Sequence, residues 1–211
     1  MRFHFKHIVH LLVATVFSLA SAGSFDDFFR AVNADDVGTV KELLARGFDP
    51  NTVSEKGQVA LYLALREDSP KVIAALLAHP QTKVDASNAV NETPLMMAAL
   101  RGQLDWTQRL LERGAALNRT GWTPLHYAAT GPESKLVALL LGRGAQIEAL
   151  SPNRTTPLMM AARYGPEDAV NLLLAAGASP QARNDLGLNA ADFARLGARD
   201  ALAERLSALA R

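Results

Sequence analysis

The groups in this chain whose types and spacing could do chemistry are two methionine pairs, two histidines outside the amino-terminal segment and three Asn-x-Thr tripeptides. Met96-Met97 and Met159-Met160 offer soft thioethers of the kind that hold Cu(I). Neighbouring methionines on a helix point about 100° apart, however, so each pair is badly placed to converge on one ion, and a gap-filling role between helices suits the flexible side chain better. His126 follows Pro124-Leu125 at a helix start, with no nucleophile motif, no His-Glu-x-x-His, no phosphate-cradling glycine loop and no carboxylate cluster in register with it. His79 precedes Pro80 in a loop and is expected to face solvent. Asn91, Asn118 and Asn153 open the Asn-x-Thr tripeptides, which read either as glycan acceptors or as turn residues ahead of a helix. The chain thus offers no catalytic, cofactor-binding or metal-binding set.

The elements that must position these groups repeat. Thr93-Pro-Leu-Met-Met-Ala-Ala99 recurs unchanged at Thr156 to Ala162, with Thr123-Pro-Leu-His-Tyr-Ala-Ala129 between them. With degenerate copies starting at Val59 and Asn189, the spacings are 34, 30, 33 and 33 residues. Each copy leads into a turn, a helical stretch ending Leu-Leu, and a Gly-Ala closure at Gly114, Gly144 and Gly177. Pro in the first helical turn gives up an N–H that has no partner there, and the preceding Thr is placed to cap the free amides. Leu95, Leu125 and Leu158 with the Ala pairs make a narrow apolar face, and the closing glycines suit a left-handed residue after the second helix. Trp106 falls on a second helix at a core-facing register and is expected to be buried.

A period near 33 with Thr-Pro-Leu-His resembles the ankyrin-repeat family over residues 25 to 211. The resemblance implies an all-α repeat solenoid of paired antiparallel helices with β-turn fingers. It spans about six units: 25–57, 58–91, 92–121, 122–154, 155–187 and 188–211. The end units are expected to show polar outer faces, through Asp26, Asp27 and Arg30 at one end and Arg199, Asp200, Glu204 and Arg205 at the other. Stability in such an array is shared between neighbouring units, and function is read from its surface. The resemblance is closest to exported, periplasmic ankyrin-repeat proteins of Gram-negative bacteria. It implies a non-catalytic scaffold binding a protein partner, with two alternatives: a stress-protection factor supporting a catalase or peroxidase, and a secreted effector binding host proteins.

Two departures stand out. The fourth heptad position is usually His, whose imidazole bonds Thr and backbone in adjacent loops; only His126 keeps it, and Met96 and Met159 are expected to exchange that bridge for apolar volume. The spacing of 30 before Thr123 predicts a finger shortened by three residues over Asn118 to Trp122.

Residues 1–22 form a separate segment, with basic Arg2 and Lys6, an apolar stretch from Ile8 to Ala20 and small residues at Ala20-Ser21-Ala22. The stretch is about 13 residues, against the roughly 20 of a membrane-spanning helix. It predicts a signal peptide cleaved after Ala22, and hence a periplasmic or secreted product without a stable membrane anchor. The remainder, 23–211, would be a single repeat domain with 20 basic and 21 acidic residues. That balance argues against nucleic acid as a partner. The absence of cysteine excludes disulfides and thiolate sites. A monomer is expected.

The resemblance places a partner on a concave face built from finger tips and the outer ends of the first helices. There the sequence sets Arg66, Arg101, Arg119, Trp122, Tyr127, Arg163 and Tyr164. Trp, Tyr and Arg are the residue types richest in interface binding energy, so these seven are the candidate partner-binding residues.

Overall fold

The computed structural model describes residues 23–209; the expected signal peptide lies outside them. The chain forms two compact units that divide between Thr82 and Lys83. The first holds α1 (23–33), α2 (Val37–Ala45), α3 (Ala60–Glu67) and α4 (Pro70–Ala78). The second holds α5 (Pro94–Leu100), α6 (Leu104–Glu112), α7 (Pro124–Thr130), α8 (Lys135–Gly142), α9 (Pro157–Tyr164), α10 (Glu167–Ala175), α11 (Ala190–Leu196) and α12 (Asp200–Leu209). Among the described residues the extended structure is one isolated bridge between Val53 and Val59, so the protein is an all-α repeat solenoid of helix pairs.

Helices of seven to eleven residues do not persist alone in water, and packing supplies what propensity cannot. In the second unit the first helices α5, α7, α9 and α11 lie against one another, and α6, α8 and α10 form a second layer. Leu95, Leu125, Ala98, Ala99, Ala128, Ala129, Ala161 and Ala162 are fully buried between the first helices, where alanine lets backbones approach. Leu110, Leu140 and Leu173 are buried from the second layer; full burial of each such leucine contributes roughly 2 kcal/mol. Gly144 closes α8 with φ 89°, a left-handed conformation that strains any residue with a Cβ.

The fourth heptad position does one job throughout the second unit. It accepts a hydrogen bond from the amide of the residue that opens the helix: Met96 Sδ from Thr93 at 3.4 Å, Met159 Sδ from Thr156 at 3.4 Å, His126 Nδ1 from Thr123 at 3.2 Å and Asp192 from Asn189 at 3.0 Å. The thioethers therefore keep the local half of the bridge that the sequence suggests they give up. What they lack is reach, because only the imidazole continues to the next repeat. In return, the hydroxyls of Thr93 and Thr156 accept from the amides of Met96 and Met159 at 3.3 Å, a reciprocal capping box. Thr123 Oγ1 instead meets the His126 ring at 2.9 Å.

Three sequence expectations change in the fold. Trp106 is half-buried rather than buried, and the Arg109 guanidinium lies 4.9 Å from its ring centre, so an amphipathic pair covers that part of α6. His79 caps the end of α4 half-buried, its Nδ1 enclosed by neighbouring atoms rather than open to solvent. Arg199, expected on an outer polar face, turns inward. Its Nη1 donates to the carbonyls of Ala161, Ala162 and Gly165 at 3.0, 3.1 and 2.8 Å, adding a charged donor to the end of α9, where the backbone C=O groups run out of intrahelical partners. Asp26, Asp27 and Arg30 are exposed as expected, with Arg30 and Asp27 paired at 2.7 Å.

Candidate functional site

Four of the loops that precede a heptad close as small hairpins with the same pairing. Ser54 N–H donates to Gln58 O, Asn88 to Glu92, Ser151 to Thr155 and Asn184 to Leu188, all at 2.8–3.0 Å. In each the opening residue also accepts main-chain N–H bonds through its side chain, as Asn88 Oδ1 does from Val90 and Glu92.

The loop from Asn118 to Trp122 has no such closing pair. Asn118 does different work: its Oδ1 accepts from Gln146 N and its Nδ2 donates to Gly144 O. Those bonds match the ones by which Asp85 holds Ala116 N and Glu148 holds Ser179 N, from positions eight residues before their heptads. Asn118 lies five before its own, so the three missing residues come from the finger itself. Pro152 faces the gap, its ring close to where a Gly121 side chain would stand. Having no N–H, Pro152 cannot make the inter-finger bond that Asp185 N makes to Asn153 O at 3.1 Å in the next pair of fingers.

Beside the short loop lies a largely apolar groove of about 450 Å³. Trp122, Tyr127, Met160 and Tyr164 supply its aromatic and thioether surface, with Leu100, Thr130 and His126 completing it. Tyr127 and Met160 occupy the same fifth heptad position on α7 and α9, which is why they stand side by side. The indole of Trp122 meets the His126 ring edge-on at 5.2 Å between centres, and Tyr127 donates its hydroxyl to Glu92 Oε1 at 2.9 Å. Tyr164 is 56% exposed, with the Arg163 guanidinium 4.8 Å from its ring centre. Beneath the groove His126 is 1% exposed, and its Nε2 lies 2.9 Å from the Thr155 carbonyl. Burial pushes the imidazole down to about 4, against the raising effect of the Thr155 and Ala149 carbonyls.

Of the seven residues singled out in the sequence, Trp122, Tyr127 and Tyr164 line this groove together. Arg101 and Arg163 adjoin lining residues, one following Leu100 and the other preceding Tyr164. Arg119 lines a separate depression with Asn118, Gly121, Gln146, Glu148 and Leu150. Arg66 belongs to the first unit, where it bonds Glu67 and Gln58 at 2.7 and 2.8 Å. Leu100, His126, Thr130 and Met160 line the groove without being among the seven, and Met160 is the most informative of them. The signal was present, since it shares a heptad position with Tyr127 and a groove assignment for one implies the other. Among the described residues no group of three or more histidines and carboxylates gathers as a metal site, and no helix is long and apolar enough to cross a membrane.

The family model for ankyrin repeats matches in three overlapping copies over residues 28–120, 81–150 and 108–184. The chain belongs to the ankyrin-repeat family. It is 30% identical over 161 residues to the nuclear factor NF-kappa-B p105 subunit of Gallus gallus, covering 73% of this chain and 16% of that protein. It is 32% identical over 142 residues to the ankyrin repeat and SAM domain-containing protein 6 of Rattus norvegicus, covering 65% of this chain and 16% of the relative. The chain therefore spans only a small part of these relatives' length. Among solved structures it resembles a chain in the complex of the Bd0816 predatory endopeptidase of Bdellovibrio bacteriovorus with the immunity protein Bd3460. That match has a TM-score of 0.73 and 24% identity, and covers 86% of this chain and 97% of that one.

Proposed function

We propose that this protein is a non-catalytic scaffold that binds a protein through the groove of its second unit, and that it is exported by its amino-terminal segment to the periplasm or beyond. The observation that carries the reading is the convergence of Trp122, Tyr127, Met160 and Tyr164 on one groove beside a missing finger. Partly exposed aromatic residues gathered in a depression are the usual anchors of a protein interface. Loss of the finger removes the hairpin that would otherwise stand next to Trp122. The ankyrin family generally acts by binding proteins rather than by catalysis, in keeping with this role. Export rests on the basic, apolar and small-residue order of residues 1–22.

A narrower version is favoured by the likeness to a chain from a peptidase and immunity-protein complex: the partner is an exported hydrolase that the scaffold holds in check. Photo-crosslinking in living cells tests both levels. A crosslinking amino acid at Tyr164 should trap a discrete protein in the periplasmic fraction, while one at exposed Lys135 should not. Replacing Trp122 and Arg163 with Ala should abolish capture and leave the melting midpoint within a few degrees. Equal capture from both positions, or capture that survives the double replacement, would remove the groove from consideration. Recovery only in the cytoplasmic fraction would overturn export, and identification of a catalase or peroxidase would displace the hydrolase reading.

A further inference from the structure

The charges around the groove are lopsided. Arg101 is exposed immediately after Leu100, and Arg163 lies over the Tyr164 ring; among the described residues neither is in an ion pair. Arg154, Arg195 and Arg205 of the same unit, by contrast, each meet a carboxylate. The carboxylate of Glu92 is bonded to the lining residue Tyr127 through its hydroxyl and to Asn88 Nδ2, both at 2.9 Å; these neutral donors fix its position and leave its charge in place. The result is an apolar, aromatic trough with the Arg163 guanidinium over its Tyr164 wall and Arg101 exposed next to Leu100, two guanidiniums against the one carboxylate bonded to a lining residue.

From this charge pattern we infer that the groove receives an extended acidic segment of a partner protein, in which aliphatic side chains enter between Trp122, Tyr127, Met160 and Tyr164 while a neighbouring carboxylate meets Arg163 or Arg101. The inference rests on the groove being the binding face and adds the chemistry of what enters it. An aromatic trough also suits a cationic ligand in principle. Here such a ligand would have to displace Arg163 from the Tyr164 face, and like charges at close range oppose it. A carboxylate meets the reverse situation, with planar donors free to bind it in a fork.

Random dodecapeptides displayed on phage and selected on the folded full chain supply the probe. The expected outcome is enrichment of peptides carrying Asp or Glu beside Leu, Ile, Val or Phe. Their binding should weaken about tenfold in Trp122→Ala, severalfold in Arg163→Gln, and steadily with added salt. If Trp122→Ala melts early, Tyr164→Ala replaces it, because that side chain is mostly exposed. Enrichment of basic or uncharged peptides, indifference to Arg163→Gln, or no enrichment at all would overturn the inference. If crosslinking from Tyr164 still captures a protein in that case, the groove remains a binding face and only its acidic preference is lost. If both fail, the groove itself is not the site.

Discussion

His126 Nε2 lies 2.9 Å from the main-chain oxygen of Thr155, 29 residues further along the chain, while its Nδ1 accepts the amide of Thr123 at 3.2 Å. The Thr155 carbonyl can only accept, so Nε2 must carry the proton; the Thr123 amide can only donate, so Nδ1 must not. One neutral tautomer therefore ties the start of α7 to the loop entering α9. A second proton on Nδ1 would face the Thr123 amide, donor against donor.

That arrangement makes the fold sensitive to acid in a definite window. An unfolded imidazole titrates near 6.5, and the folded one near 4. Between those values the unfolded chain takes up a proton that the folded chain refuses. Stability from this group is thus complete above about 6.5, declines as the pH falls and levels off below about 4. The loss should be roughly 3 kcal/mol. Urea melts at several pH values measure it, and His126→Met, which copies the residue at positions 96 and 159, should flatten that part of the profile. An unchanged slope in the variant would mean that another group sets it.

At Gly165 the backbone of one repeat lies close against that of its neighbour. A Cβ at that position would fall on the Ala129 carbonyl, although φ and ψ there are ordinary for any residue. Gly165→Ala should cost roughly 2–3 kcal/mol, through forced separation of α7 from α9. Gly144→Ala has the opposite balance, with φ 89° and nothing within 4 Å of a new Cβ, and should cost about 1 kcal/mol. Thermal melts of the two variants separate contact from conformational strain.

Arg199 offers a measure of how the terminal helix pair secures its neighbour. Arg199→Met keeps much of the aliphatic stem and removes three hydrogen bonds to the last carbonyls of α9. A loss of about 2 kcal/mol is expected, because charge-assisted bonds to buried carbonyls are not easily replaced. Amide hydrogen exchange should quicken first around Gly165 and Arg199. Uniform acceleration across α5 to α12 would contradict a local role.

Restoring the missing finger tests its connection to binding. Lengthening the loop between Asn118 and Trp122 by about three residues, on the pattern of Ser151 to Thr155, should change stability by less than about 1 kcal/mol, since surface loops tolerate insertion. Capture from Tyr164 should nevertheless fall sharply as the new hairpin displaces Trp122 and narrows the groove. A scaffold that binds as before would show that the deletion is incidental.

The residues differ in how much of this could be read in advance. The Thr-Pro-Leu-x-x-Ala-Ala heptads dictated helix starts, buried faces and period, because capping and small-residue packing are local demands that a single unit must meet by itself. The shortened finger was legible from spacing, and the pairing of Asn118 with Gln146 places the deletion in the hairpin. Trp106 misled because a core-facing register suggests full burial, whereas the ring is half-buried with the Arg109 guanidinium over it. Arg199 misled because charge suggests solvent, whereas its partners are carbonyls at the end of a helix more than thirty residues away.

The sequence by itself determined the repeat, the heptad grammar and the candidate aromatic and basic residues, since each depends on neighbours within one unit. Only the tertiary structure decided which of those residues meet. It set Trp122, Tyr127 and Tyr164 around one groove with Met160 among them, sent Arg119 to a different depression and fixed Arg66 to Glu67 and Gln58 in the first unit. The reason is geometric: a groove is formed by adjacent repeats, and proximity between repeats comes from stacking, a relation that no stretch of one unit contains.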